Sequence, residues 1–223
     1  MRLSLSNAIE FVRARMDELS YSNDDMIVPA DDDRNFDTTV EKLLPEAAEF
    51  VYRAAPARLL EPETEMEIPS VGYISDRVES TELLENGAIR LVIPLDSGYL
   101  RFVSFKSTDS DVYLTAPVAF DSPEARMQIN PYTRGTYDRP VIVERKTPGR
   151  VEYTYYTVRD KDNVPGFTLY SIDKPSYADD NSIFCPDFLS PAVLNRVTGM
   201  VLEAYGSAQQ AQAFYQKSAT YFA

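Results

Sequence analysis

Apolar residues recur at helical spacing toward both ends of the chain and at alternating spacing in its middle, and this change of period divides the sequence. Leu5, Ala8, Ile9, Val12, Met16 and Leu19 fall on one stripe with Arg13, Arg15, Asp17 and Glu18 between them, which predicts a first helix over 5–19. A polar, aspartate-rich connector follows from Tyr21 to Phe36. A second helix is predicted to begin at Thr38, which forms a capping box with Glu41 and leads a stripe of Val40, Leu43, Leu44, Ala47, Val51 and Ala54. Pro45 falls inside that stripe and removes one backbone hydrogen bond. The segment is therefore a kinked helix or two short ones, and the stripe's constant phase on both sides favours the kink.

Between about residues 61 and 176 the pattern becomes short extended runs separated by turns. Asn86-Gly87 joins Thr81–Glu85 to the run from Ala88 to Ile93, in which Ile89, Leu91 and Ile93 alternate, and predicts a hairpin. Further strands are expected at Tyr99–Lys106, Asp111–Thr115, Val141–Arg145, Val151–Val158 and Phe167–Ile172, with Pro148-Gly149 turning a second hairpin. Helical spacing returns after Asp187, where Val193, Leu194, Val197, Met200, Val201 and Ala204 follow Ser190-Pro191, and Gly206 is placed to end the helix. Ser207 and Gln210 predict a second capping box ahead of Ala211, Phe214, Tyr215, Ser218 and Phe222.

Helices, then strands, then helices predict an α+β fold. Terminal helices that cannot bury their stripes alone would form a bundle from residues 1–60 and 177–223. An antiparallel β-rich domain of about six strands, sandwich- or barrel-like, would be inserted at 61–176 with one short helix near 122–129.

Composition narrows the function. The chain has 223 residues, 44% hydrophobic and 26% charged, so an ordinary globular protein is expected. Its net charge of −13 argues against a free-standing nucleic-acid binder, which gains affinity by neutralising phosphates. An acidic wall would suit DNA that must slide past without sticking. The absence of histidine removes serine and cysteine triads, the His-Glu-x-x-His zinc site and any imidazole acid or base. The single cysteine, Cys185, lies between Phe184 and Pro186 and reads as a packing residue. The amphipathic first residues lack the apolar core of a secretory signal, and no stretch suits a membrane span, so a cytosolic origin is expected.

Few stretches invite chemistry. Placed on a calcium loop, Asp31, Asp33 and Asn35 occupy ligand positions, but Phe36 replaces the required glycine and Lys42 the terminal glutamate, so no metal is expected. Between Asp17 and Glu49, 11 acidic residues outnumber two basic ones, Arg34 and Lys42, for a local charge of −9. Arg126, Arg134, Arg139, Arg145, Lys146 and Arg150 give the middle of the chain the opposite character, interleaved with Asp121, Glu124, Asp138 and Glu144. Acidic and basic regions of neighbouring copies could meet. Tyr153, Tyr155 and Tyr156 share a predicted strand, as a sugar-binding surface would, although tyrosines packed on a sheet with their hydroxyls at the rim are commoner.

The stretch from Asp121 to Pro140, DSPEARMQINPYTRGTYDRP, opens with an N-capped helical turn at Ser122-Pro123, breaks at Asn130-Pro131 and turns at Arg134-Gly135-Thr136. Its polar content suits holding a surface against another protein, with Asn130, Arg134, Gly135, Thr136 and Arg139 as candidate interface residues. Asp121–Glu124, Asn130–Thr136 and Arg139-Pro140 resemble a block of the head-to-tail connector (adaptor, or neck ring) proteins of short-tailed bacteriophages, particularly the crAss-like phages. Asp24–Ile27, Asp37–Ala47, Ala55–Ala57 and Tyr99–Phe105 carry the same likeness.

The resemblance implies a virion protein without catalytic residues, cofactor or membrane partner, made in the bacterial cytoplasm and placed at the head-tail neck. Such proteins stack as a ring, commonly of twelve copies, against the portal protein and other neck or tail rings. They extend the channel through which DNA passes without being read. Phe214, Tyr215, Tyr221 and Phe222 would then be candidate anchors on the portal or a neighbouring copy. The alternatives are a carbohydrate-binding or tail-associated adhesion module and a cytosolic hydrolase using carboxylates.

Overall fold

A computed structural model describes residues 2–20, 33–60, 71–73, 79–94, 98–107, 110–156 and 167–222. In chain order the elements begin with β1 (Arg2–Ser4), α1 (Leu5–Ser20), α2 (Asp33–Ala54), β2 (Val71–Tyr73), β3 (Ser80–Leu83), β4 (Ile89–Pro94) and β5 (Tyr99–Ser107). They continue with β6 (Val118–Ala119), α3 (Pro123–Met127), β7 (Val141–Thr147), β8 (Arg150–Tyr156), β9 (Phe167–Asp173), β10 (Ser182–Phe184), α4 (Ser190–Ala204) and α5 (Ala208–Ala219). The fold mixes helices with antiparallel and parallel strands and divides into two compact units, Met1–Ser70 with Lys174–Ala223, and Val71–Asp173. None of the described helices is long and apolar enough to cross a membrane.

In the first unit, α4 packs against α1, α2 and α5. Its buried residues, Ala192, Val193, Asn195, Val197, Thr198, Gly199, Val201 and Leu202, cover more of its circumference than one stripe, as a central helix requires. Gly199 permits a close approach of α5, because a Cβ there would lie 2.5 Å from Cε1 of Tyr215. A Schellman cap ends α4: the Gly206 N–H donates to the Glu203 carbonyl and the Ser207 N–H to that of Leu202, with Gly206 at φ +85°. β1 pairs antiparallel with β10, and the Tyr52 hydroxyl donates to the Phe184 carbonyl.

The second helix differs from expectation at its start. It begins at Asp33, so Thr38 is an interior residue and not an N-cap. Phe36 adds a buried position one turn earlier, Asp37 pairs with Arg13 of α1 at 2.8 Å, and Thr39 bonds back to the Asn35 carbonyl at 2.7 Å. Asp33 and Asn35 are thus helical and do not form a calcium loop, while Asp31 and Asp32 lie outside the described residues. The helix continues through Pro45. Because proline has no N–H, the Glu41 carbonyl loses its usual helical donor, and the Tyr177 hydroxyl donates to it at 2.7 Å. Ser207 also departs from expectation: it is the N-cap of α5, but its side chain makes no capping bond.

The second unit contains a five-stranded sheet, β3-β4-β8-β7-β6, and a three-stranded sheet, β2-β9-β5. Their shared core includes Ile89, Leu91 and Ile93 of β4, Tyr99 and Phe105 of β5, Val151, Tyr153 and Tyr155 of β8, and Leu169 of β9. The Asn86-Gly87 hairpin forms, with Gly87 at φ 77° and the Asn86 side chain accepting from Ala88 N–H. Pro148-Gly149 turns the second hairpin, from β7 to β8, with Gly149 at φ +84°.

The strand expected at Asp111–Thr115 is absent; Leu114 makes only an isolated bridge to Phe105. Conversely, β1, β2, β6 and β10 have two or three residues each, too few to carry a detectable period. The sheet is not wholly antiparallel either, because β6 and β7 pair parallel, which requires the connection between them, residues 120–140, to cross over. That connection contains the sequence block singled out above.

Candidate interaction surface

The crossover from β6 to β7 is held from within. Ser122 Oγ accepts from the Ala125 N–H at 3.2 Å and Pro123 opens α3, which is shorter than the helix expected near 122–129. Gln128, itself buried, donates through Nε2 to the Glu124 carbonyl at 3.0 Å and accepts the Gly135 N–H on Oε1 at 2.8 Å. One side chain thereby fastens the end of α3 to the later turn. The Thr133 hydroxyl donates to the Met127 carbonyl at 2.8 Å, and Asn130 Oδ1 accepts from the Tyr132 N–H at 2.9 Å.

The sequence-selected residues of this region also hold the turn, while Asn130, Thr136 and Arg139 remain exposed. The Asn130 carbonyl accepts from the N–H groups of Thr133 and Arg134. Arg134 reaches the Asn86 carbonyl in the β3–β4 turn at 2.6 Å. Gly135 is required by proximity, since a Cβ would lie 2.6 Å from the Arg139 carbonyl oxygen and 3.0 Å from Cγ2 of Val141. The Thr136 carbonyl accepts from the Arg139 N–H at 2.9 Å.

On this frame stand four exposed apolar side chains: Phe120 at 56%, Met127 at 53%, Ile129 at 75% and Tyr132 at 96% of their full accessibility. Isolated exposed apolar residues are ordinary, but a group on one fastened connection is the form an interaction site takes. The Phe120 N–H donates to the Glu144 carbonyl at 3.0 Å, and the Arg145 guanidinium lies 4.8 Å from the centre of its ring. Ala119, Phe120, Asp121, Glu144, Arg145 and Lys146 line a groove at this edge of the sheet. Lys146 pairs with Glu144 at 3.1 Å, and Arg150 with the buried Glu152 at 3.0 Å. The result is a group of exposed apolar side chains with a border of mixed charge, suited to association. Sequence reasoning missed all four apolar residues because they follow no period; their concentration among turn formers was the available signal.

The other candidate residues belong to the first unit and are not one exposed set. Tyr215 is a packing residue: its ring covers Gly199, Arg196 stacks on it at 4.1 Å, and its hydroxyl bonds to Glu203. Burial and then Glu203 push its phenol up to about 12. Phe214 and Phe222 are half-buried, and Tyr221 is exposed.

Tyr153 and Tyr155 are fully buried, contrary to the expectation that their hydroxyls reach a rim. Both side chains occupy the core face of β8 and are closed to a sugar, while Tyr156 lies on the opposite face and is half-buried. Tyr153 instead donates to Glu144 at 2.7 Å and bonds to the Tyr99 hydroxyl, and burial raises both phenols well above their ordinary range. Cys185 is buried, and the same cause pushes its thiol up to about 12, which leaves it a weak nucleophile.

No protein-family model matches the chain, and no curated protein sequence matches it.

Proposed function

We propose that the protein is a structural component of a short-tailed phage virion, forming a neck ring between portal and tail and acting by association without a covalent step. The observation that carries this reading is the group of Phe120, Met127, Ile129 and Tyr132, held toward solvent on a crossover fastened from within by the buried Gln128. The fold reading that accompanies it is a helical bundle formed by both chain ends, carrying a sandwich-like β unit. The mutual packing of α1, α2, α4 and α5, and the core common to the two sheets, support it.

In this reading copies join head to tail, the arginines and Lys146 in and beside the crossover facing the acidic helical unit of its neighbour, and the rotation closes the ring. The predominance of acid suits a channel wall past which DNA moves. Tyr221 and Phe222 are the docking residues toward the portal, and their replacement by alanine would weaken attachment without preventing folding.

Electron microscopy of the purified protein mixed with its portal tests the reading. A symmetric collar on the portal is expected. Portal particles without added density, together with measurable glycan binding by the chain, would reject it in favour of an adhesion module.

A further inference from the structure

Arg196 of α4 is an exception in a chain where 35 acidic residues outnumber 22 basic ones. Its guanidinium is clamped between two rings, Phe50 of α2 at 3.6 Å and Tyr215 of α5 at 4.1 Å from the ring centres. Among the described residues it makes no ion pair and no side-chain hydrogen bond. Nε is buried without an acceptor, whereas the two terminal nitrogens are not buried. Burial lowers its pKa, offset in part by Tyr215 and then by Glu203, whose carboxylate also accepts from the Tyr215 hydroxyl. Arg53, three residues after Phe50 on α2, is occupied by Glu49 at 2.6 Å.

Stacking fixes the plane of the guanidinium but leaves its in-plane donors unused. A planar fork held in this way matches a carboxylate approaching along that plane. The half-exposed Phe50 ring beside it offers apolar contact to residues flanking the carboxylate. A single guanidinium near Glu203 suits a singly charged carboxylate better than a doubly charged phosphate.

We propose that Arg196, walled by Phe50 and Tyr215, is a receptor for an aspartate or glutamate side chain in an acidic, partly apolar segment of a partner protein. The partner's carboxylate takes the terminal N–H groups of the fork, and its flanking apolar residue lies on Phe50. The site belongs to the helical unit and does not depend on the crossover surface or on the neck-ring reading.

The test uses the full ¹⁵N-labelled chain and an end-blocked heptapeptide of alternating leucine and glutamate, with its leucine–glutamine counterpart and inorganic phosphate as controls. The Arg196 Nε–H resonance, assigned by its loss in Arg196→Gln, should shift and saturate with the glutamate peptide only. Peptide affinity measured by calorimetry should fall about tenfold or more in Arg196→Gln and by less in Phe50→Ala. Equal affinity of folded Arg196→Gln, an equal response to the glutamine peptide, saturation by phosphate at lower concentration than by the glutamate peptide, or no shift at millimolar peptide would each overturn the assignment. If Arg196→Gln does not fold, the paired peptides on the wild-type chain, read at the tyrosine and phenylalanine ring signals of the clamp, give the same decision.

Discussion

At Pro45 one residue's deficiency is met by another 132 positions along the chain, a bond between Tyr177 and Glu41 that no local pattern announces. Tyr177→Phe should cost about 1 kcal/mol in denaturant unfolding, the usual net worth of one hydrogen bond. In a Pro45→Ala background, where the helix can supply its own donor, that cost should shrink; an equal cost in both backgrounds would contradict the pairing. The Tyr177 phenol is pushed up to about 12, first by burial and then by Glu41. Its protonated form is therefore the one that stabilises the fold. The contribution should be complete below about pH 10, the unfolded phenol's value, and be lost as pH rises toward 12. The stability gap between wild type and Tyr177→Phe should accordingly narrow from pH 8 to pH 11. Gly135 is a second residue-scale test: alanine there meets the Arg139 backbone, which cannot swing aside as a side chain could. Thermal unfolding of Gly135→Ala should show a loss of about 1–3 kcal/mol.

At the scale of elements, the sequence was readable where the determinants are neighbours. Ser122-Pro123, Asn86-Gly87, Pro148-Gly149 and Gly206 each impose a backbone geometry on adjacent residues, and each marks the cap, turn or helix end expected of it. It was unreadable where pairing is remote. The β1–β10 pair joins strands about 180 residues apart with three residues each, and the parallel β6–β7 pair depends on the whole crossover between them. Thr38 misled because a good capping sequence was overridden by a further buried turn at Phe36 and by the Arg13–Asp37 pair. Among the β elements, Tyr153 links its own sheet to Tyr99 of the other sheet and to Glu144 of β7. Removing its hydroxyl leaves both partners short of a bond, so Tyr153→Phe should destabilise the protein by about 1–3 kcal/mol. A change below about 0.5 kcal/mol in chemical denaturation would show that these bonds add little.

At the scale of the whole molecule, stability and association should be separable. The crossover is held together by the bonds of Gln128, Thr133 and Arg134, while Ile129 and Tyr132 face water and support little of the fold. Ile129→Ser combined with Tyr132→Ser should therefore leave the unfolding free energy within about 0.5 kcal/mol per site, as exposed substitutions usually do. Assembly should respond quite differently, because aromatic and aliphatic residues desolvated at the centre of an interface carry most of its energy. The decisive measurement is the mass distribution of wild type and this double variant, each mixed with portal in solution. Uniform collared particles with the wild type, and uncollared portal beside a folded free variant, are predicted. Collars formed equally well by both chains would contradict the claim that this surface is where the protein acts.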